Sequence, residues 1–150
     1  MFIEKLSTWR KLSKKNKRLF WEALFFLSVT KIIVWLVPFK YIAPYLGTPN
    51  KEVNDQEDIS IQLANAKAIA DAIRLAVRYT PWKVVCLPQA LAAHKMLKRH
   101  KLSGTLFLGI TKSDGQNKSL KAHAWLRHGD LILCGAKGHK AFTVVSTFSW

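Results

Sequence analysis

Acidic residues and cysteines are both scarce in this sequence. It has 9 Asp and Glu against 24 Lys and Arg, which leaves a formal net charge of +15 at pH 7. A positive field of this size attracts nucleic acid, an anionic lipid surface or an acidic peptide. Only Cys86 and Cys134 are available for disulfides, and we find no secretory signal with a small-residue cleavage site. These absences argue against a disulfide-stapled secreted domain and predict a protein of the reducing cytoplasm.

A long uninterrupted hydrophobic run is also missing. Residues 19–39 are the most apolar stretch, but Glu22 and Lys31 leave only the eight residues 23–30 uncharged between them. A bilayer span needs ~20 apolar residues. We therefore expect mainly a buried structural helix. The basic residues 11–18 ahead of it leave open a peripheral contact with a membrane or a partner protein.

The chain is long enough for one domain with a hydrophobic core, since 49% of its 150 residues are hydrophobic. Residues 45–60 combine Gly, Pro and Asn with most of the local acid and predict a connecting segment. We accordingly divide the chain into an N-terminal helical extension over residues 1–50 and a catalytic-sized core over residues 51–150.

The core changes from helical to β patterns along its length. Apolar residues recur with a helical period over residues 61–79, and a second helix is predicted from Leu87 to Lys98. Beyond Gly104 the pattern alternates, which predicts strands. The predicted strands are residues 105–110, 120–126, 131–134 and 141–148, with turns at 113–117 and 127–130. Helices followed by strands with hairpin-length connections favour an α+β fold with an antiparallel sheet.

Cys86 stands at the predicted start of the second helix. Backbone N–H groups in the first turn of a helix have no intrahelical partner and lie at the positive end of the helix dipole. They stabilise a thiolate and can bind an oxyanion, and a cysteine nucleophile needs both. The alternative is a packed core thiol, because free cysteine is among the most buried residue types.

His123 lies in a predicted strand between Ala122 and Ala124, whose small side chains leave an imidazole accessible. Trp125 follows on the same face of the strand and is placed to wall a pocket. A helix-start cysteine followed by a strand histidine is the chain order of papain-like and transglutaminase-like cysteine enzymes. In these enzymes the imidazole takes the proton of the thiol, so we predict that Cys86 and His123 act together.

A third group should orient the imidazole and fix its tautomer. Asp130 is the tentative candidate by elimination, although a turn residue seven positions along the strand is poorly placed to reach His123. A backbone carbonyl or an acid from elsewhere in the chain fits equally well. A hairpin loop at residues 128–129 would set Cys134 opposite His123, and a loop one residue later would set Ala136 there.

The remaining histidines have a smaller predicted role. His94, on an apolar helix face, is expected to be hydrogen-bonded in the core, whereas His100, His128 and His139 are expected at surface or turn positions. No two Cys or His residues have the spacing of a metal motif, so no metal site is predicted.

Three motifs together resemble a known family. They are "PWKVVCLPQALAAHKMLKRHKLSGTLFLGI" from residue 81, "KAHAWLRHGDLIL" from residue 121 and "FTVVSTF" from residue 142. They are similar to the leader peptidases of lasso peptide biosynthesis, a transglutaminase-like group of cysteine proteases, over roughly residues 17–150.

In that family the cysteine and the histidine of the HAW motif are nucleophile and base, and they match Cys86 and His123. The family's acid falls about a dozen residues after the histidine, near Gly135 or Ala136 here, where no acid stands. Trp82, Gln89 and Trp125 are the expected substrate-binding residues within the motifs.

The resemblance implies a transglutaminase-like cysteine protease that removes the leader peptide from a ribosomally made lasso precursor. A separate cyclase would then form the macrolactam. Some relatives carry a fused peptide-recognition domain, and this chain is too short to include one, so a separate leader-binding protein is an expected partner. Hydrolysis by a thiol needs no cofactor. We expect no nucleic-acid partner and a cytoplasmic location, free or in contact with a membrane.

Two other functions stay open. The charge of +15 also suits a non-enzymatic basic module that binds nucleic acid or an anionic membrane. A transglutaminase-like acyl transferase, which uses an amine in place of water, shares the acyl-enzyme step with a protease. The sequence does not separate this last alternative from proteolysis.

Overall fold

Helices precede strands in the computed structural model, which describes residues 12–52, 59–112 and 119–150. The α-helices of these residues are α1 (Lys14–Leu36), α2 (Phe39–Ile42), α3 (Ile59–Tyr79) and α4 (Cys86–Arg99). Short 3₁₀ turns lie at Ala43–Tyr45 and His139–Ala141. The predicted turn at residues 113–117 and residues 1–11 lie outside the described residues.

Local chemistry explains the ends of these helices. The side chain of Ser13 caps α1 by accepting a hydrogen bond from the backbone N–H of Asn16 at 3.2 Å. Val37 has extended backbone angles, which the following proline favours, and α1 ends before it. Pro88 lies in the first turn of α4, where its missing N–H removes no helical bond.

In the described part of the chain, five strands form one antiparallel sheet in the order β1-β5-β2-β3-β4. They are β1 (Thr48–Pro49), β2 (Thr105–Lys112), β3 (Leu120–His128), β4 (Leu131–Cys134) and β5 (Thr143–Ser149). The four strands after α4 were predicted, and the α+β fold with an antiparallel sheet is confirmed. Strand β1 was not predicted, because it is only a two-residue pairing with the end of β5.

The core lies between the helices and one face of the sheet. Helices α1, α3 and α4 pack against one another, and α4 also packs against β3. Alanine lines these contacts, at Ala23, Ala66, Ala70, Ala76, Ala90 and Ala93, each at most 2% exposed. Leu19, Phe20 and Leu27 of α1 belong to the same apolar cluster as the strands, so residues on both sides of position 50 share one core.

The β3–β4 hairpin has the second of the two predicted turns, but its register changes farther along the strands. Its two-residue turn is Gly129–Asp130, and His128 pairs with Leu131. An irregularity after Leu126 then shifts the register, so that Cys134 lies opposite Leu126. Neither Cys134 nor Ala136 is therefore the partner of His123, because β4 ends before it reaches that level of β3.

His128 corrects a second expectation. It is buried, at 6% exposure, and its Nδ1–H donates to the carbonyl of Ser103 at 2.8 Å. The prediction of a surface or turn position was wrong because β3 extends two residues beyond its predicted end.

His94 is a core residue, as predicted. It is fully buried, its Nε2–H donates to the carbonyl of Leu46 at 3.0 Å, and its ring meets Trp150 edge-on with centroids 4.2 Å apart. Burial lowers its pKa to about 4, with a smaller contribution from Lys98 and Lys95 and against the effect of the Leu46 bond. The folded protein therefore keeps the His94 imidazole neutral at a mildly acidic pH at which an exposed imidazole is protonated.

We expect this histidine to make folding sensitive to mild acid. Between its unfolded pKa of 6.5 and its folded pKa of about 4, the unfolded chain binds a proton that the native His94 does not. The stability is full above pH 6.5 and falls by up to about 3 kcal/mol as the pH drops to 4. Urea unfolding of the wild type and of His94→Gln at several pH values measures the difference. His139→Gln, at a half-buried turn position, is the control, and an unchanged pH dependence in His94→Gln would contradict the prediction.

Candidate functional site

Cys86 is the first residue of α4. The preceding residue, Val85, has extended backbone angles and makes no side-chain capping bond, so the first-turn N–H groups are not occupied by a cap. The start of α4 is bonded to α1, because the Thr30 hydroxyl of α1 donates a hydrogen bond to the Pro88 carbonyl at 2.9 Å. The half-buried Cys86 thiol therefore lies among helix-terminal donors, the position at which a thiolate and an oxyanion are both stabilised.

Cys86 and His123 line one open cavity of about 370 Å³. Its other lining residues are Arg74, Gln89, Ile132, Leu133, Cys134, Gly135, Ala136 and Lys137. The structure thus brings the predicted nucleophile and base together from α4 and β3. Within the described residues, no hydrogen bond joins the thiol to the imidazole. Such catalytic bonds are often long without substrate and tighten when it binds.

The third group at the site is a backbone carbonyl. His123 Nε2 lies 2.8 Å from the carbonyl oxygen of Gly135. A carbonyl only accepts, so Nε2 carries the hydrogen and Nδ1 keeps the lone pair of a base. The ring is also held between Phe142 and Trp125, with centroids at 4.9 and 5.9 Å. Orientation and tautomer are therefore both fixed without a carboxylate.

Only glycine fits at position 135. Its φ is +74°, a conformation that L side chains rarely adopt. A Cβ here would collide with the carbonyl oxygen of Ala124 and lie 2.7 Å from the Cβ of Trp125. The close passage of this residue over β3 brings its carbonyl to His123. Gly135 follows the histidine by 12 residues, at the position where the acid falls in the family that the motifs resemble.

The structure does not bring Asp130 to His123. Asp130 is exposed in the turn beyond the end of β3 and does not line the cavity. The strand from His123 to His128 alone spans about 16 Å at the usual rise per residue. The tentative assignment of Asp130 as the third catalytic residue is not supported by this placement.

One of the three expected substrate-binding residues lines the cavity, namely Gln89. Trp125 shares a strand face with His123, as predicted, but it is buried and stacked on Phe107 at 5.4 Å, so it supports the imidazole from below. Trp82 lines a separate cavity of about 250 Å³ beside Val85, with the Lys31 ammonium 4.8 Å from its ring centroid.

Two cationic residues of the cavity were missed. Arg74 and Lys137 both line it. Arg74 lies on the exposed face of α3, where it pairs with Asp71 at 2.7 Å, and a helical period alone does not show that this face borders the cysteine. Among the described residues, no three His, Cys, Asp or Glu side chains cluster as metal ligands would.

The sequence profile of the transglutaminase-like superfamily matches residues 33–147. The chain belongs to the transglutaminase-like superfamily. This superfamily includes cysteine proteases and acyltransferases, and its members are usually catalytic. Searches of the curated proteins and of the solved structures gave no match.

The second cysteine of this transglutaminase-like domain has a different environment. Cys134 is 6% exposed, and burial raises the pKa of its thiol to about 12. At neutral pH this thiol is protonated and shielded. The two cysteines therefore differ in reactivity although both line the cavity.

We expect iodoacetamide at neutral pH to label Cys86 in the native protein while Cys134 reacts only after unfolding. The reason is that the thiolate is the reactive form, and burial suppresses it at Cys134. Peptide mapping by mass spectrometry after timed quenching gives the rate at each site. His123→Ala should slow labelling of Cys86. Equal rates at the two cysteines in folded protein would contradict this assignment.

Gly135→Ala should disturb the imidazole as well as the backbone. A positive φ costs an alanine about 1–2 kcal/mol, and here the added methyl also displaces the carbonyl that holds His123. Gly138→Ala is the matched control, because its φ is +75° but its Cβ would meet nothing within 4 Å. Both variants should lose stability in urea unfolding, and only Gly135→Ala should slow Cys86 alkylation. Equal labelling rates in the two variants would show that the carbonyl does not act on the site.

Proposed function

We propose that this protein is a cysteine protease that removes the leader from a ribosomally made lasso peptide precursor. It would work with a separate leader-binding protein and a macrolactam cyclase. The observation that carries the proposal is the shared cavity of Cys86 and His123, with the imidazole held by the Gly135 carbonyl. The superfamily match supports thiol chemistry at this site, and the sequence motifs support the precursor as substrate.

The first chemical step forms an acyl-enzyme. His123 Nδ1 takes the proton from the Cys86 thiol, and the sulfur attacks the carbonyl carbon of the scissile peptide bond. First-turn N–H groups of α4 stabilise the negative charge that develops on the carbonyl oxygen. As the tetrahedral intermediate collapses, the C–N bond breaks and the imidazolium returns its proton to the leaving amine.

Water completes the reaction. With the amine product gone, His123 takes a proton from a water molecule in the cavity, and the hydroxide attacks the thioester carbonyl. The C–S bond breaks, the leader leaves as a carboxylic acid and Cys86 regains its proton. An acyl transferase would accept an amine at this step in place of water.

The charge of the domain supports an acidic leader or leader-bound partner. A second cavity of about 480 Å³ lies between the start of α1 and the exposed face of α3. Its lining includes three basic residues, Lys67, Arg74 and Arg78, against one acid, Asp71, which pairs with Arg74. Arg74 also lines the cysteine cavity, so the basic surface borders the site. Such a field speeds the encounter with an acidic partner more than it strengthens the final complex.

We expect Cys86→Ala and His123→Ala each to lower leader cleavage by about 10³-fold or more, because each removes a reacting group. The assay combines the precursor, the purified leader-binding protein and the enzyme, with mass spectrometry of the products. Cys134→Ala is the matched control and should keep activity, since its buried thiol is protonated.

Three outcomes would redirect the proposal. Cleavage retained by folded Cys86→Ala protein would reject Cys86 as the nucleophile. An amide product formed with added amine, without hydrolysis, would identify an acyl transferase. Tight binding of unrelated DNA with no reaction on any precursor would favour the basic-module alternative.

A further inference from the structure

The outer face of α1 carries large apolar side chains in contact with solvent. Trp35 is 82% exposed and Trp21 60%. Phe25, Ile32 and Leu36 are each more than half exposed. We call these five residues the α1 ridge. Isolated exposed apolar residues are ordinary, but a continuous group of this size on one helix marks a binding surface.

Helical geometry places the ridge on one side of α1. Residues 21, 25, 32 and 36 are separated by four, seven and four positions, which keeps them within a narrow arc at 100° per residue. The opposite side is packed, with Leu19, Phe20, Ala23, Leu27 and Thr30 buried. One side of α1 is therefore buried in the core and the other is exposed to solvent, although both sides are apolar.

The packing of the buried side of α1 determines whether the helix can span a bilayer or only lie on its surface. By length and composition α1 could cross one. Crossing would strip Leu27 from the core and break the Thr30 bond to the start of α4. Lying along the surface leaves both intact and immerses only the ridge of a helix about 34 Å long.

The charges around the ridge favour an anionic surface. Among described residues 12–52 the acids are Glu22 and Glu52. The Glu22 carboxylate is turned inward, 11% exposed, toward Arg99 and His100. The exposed basic residues of the same stretch are Lys14, Lys15, Arg18, Lys31, Lys40 and Lys51. The outer face therefore attracts phosphate headgroups and has no exposed carboxylate of α1 to repel them.

Aromatic residues extend the surface beyond α1. Tyr41 and Tyr45 are 58% and 72% exposed just after the helix. Tryptophan and tyrosine favour the boundary between lipid headgroups and acyl chains, and lysine stems can lie along apolar surface while the ammonium reaches the headgroups. We infer that the α1 ridge and its flanking lysines dock this protein flat on an anionic membrane surface.

Vesicle co-sedimentation tests the inference directly. The full chain should bind phosphatidylcholine vesicles that contain phosphatidylglycerol, and should bind pure phosphatidylcholine far less. Added salt should weaken the binding, because screening shortens the reach of the lysines. Ile32→Glu and Trp35→Glu should each lower the partition coefficient by about tenfold or more, as expected for losing one buried large apolar side chain.

Val145→Glu is the matched control. Val145 is 54% exposed, close to the 55% of Ile32, but it lies on β5. This variant introduces the same charge at an equally exposed apolar position and should bind like the wild type. Circular dichroism and thermal unfolding show whether each variant is folded. Equal losses of vesicle binding in Ile32→Glu and Val145→Glu would show that net charge, and not contact through the ridge, determines the binding.

Other occupants of the ridge give different results. If the wild-type protein does not bind vesicles but forms a dimer that Trp35→Glu abolishes, the ridge binds a second copy of the chain. Retention in vesicles after an alkaline carbonate wash would show a spanning helix. Either result rejects flat docking. The measurement uses no peptide substrate, so its outcome is independent of the proposed protease activity.

Discussion

The close packing of α4 against its neighbours is the constraint on which the site depends. Alanines 90, 92 and 93 are fully buried on this helix, and larger side chains there would push α4 away from α1, α3 and β3. Because the helix is confined on several sides, its first residue has a fixed position relative to the sheet. The Cys86 thiol is thereby held at the mouth of a cavity whose far wall belongs to β3 and β4.

The histidine depends on a separate constraint, the path of the chain after β4. A register irregularity after Leu126 ends the β3–β4 pairing early, and Gly135 then crosses over β3 with a positive φ. This crossing supplies a carbonyl acceptor to His123 and leads the chain to Phe142, which packs on the same ring. A carbonyl fixes the tautomer as a carboxylate does, but it carries no full charge to stabilise an imidazolium. The site therefore relies more on geometry than on a buried negative charge.

Features that depend on local sequence could be predicted, whereas features that depend on contacts between distant parts of the chain could not. The helix start at Cys86 and the strand that carries His123 were predictable, since helix starts and strand alternation are local properties. That the two residues act together was predicted from the chain order of known cysteine enzymes, and the structure places both at one cavity. The role of Gly135 was not predictable, because it depends on a register shift that no local pattern shows. Arg74 was not predicted as a site residue, because its proximity to the cysteine arises only from the packing of α3 beside β4. The burial of His128 likewise depends on where β3 ends against Ser103.

Helix α1 connects the two surfaces that we assign. Its buried side holds the start of α4 through Thr30 and Pro88. Near its C-terminal end, Lys31, Val34 and Trp35 line a cavity together with Val84 and Val85, the residues just before the nucleophile. A membrane docked on the α1 ridge would thus lie beside the segment that positions Cys86, while the basic cavity of α3 borders the other side of the site through Arg74. The two surfaces therefore lie on different helices, so that α1 can bind lipid while the basic side chains of α3 stay open to an acidic peptide.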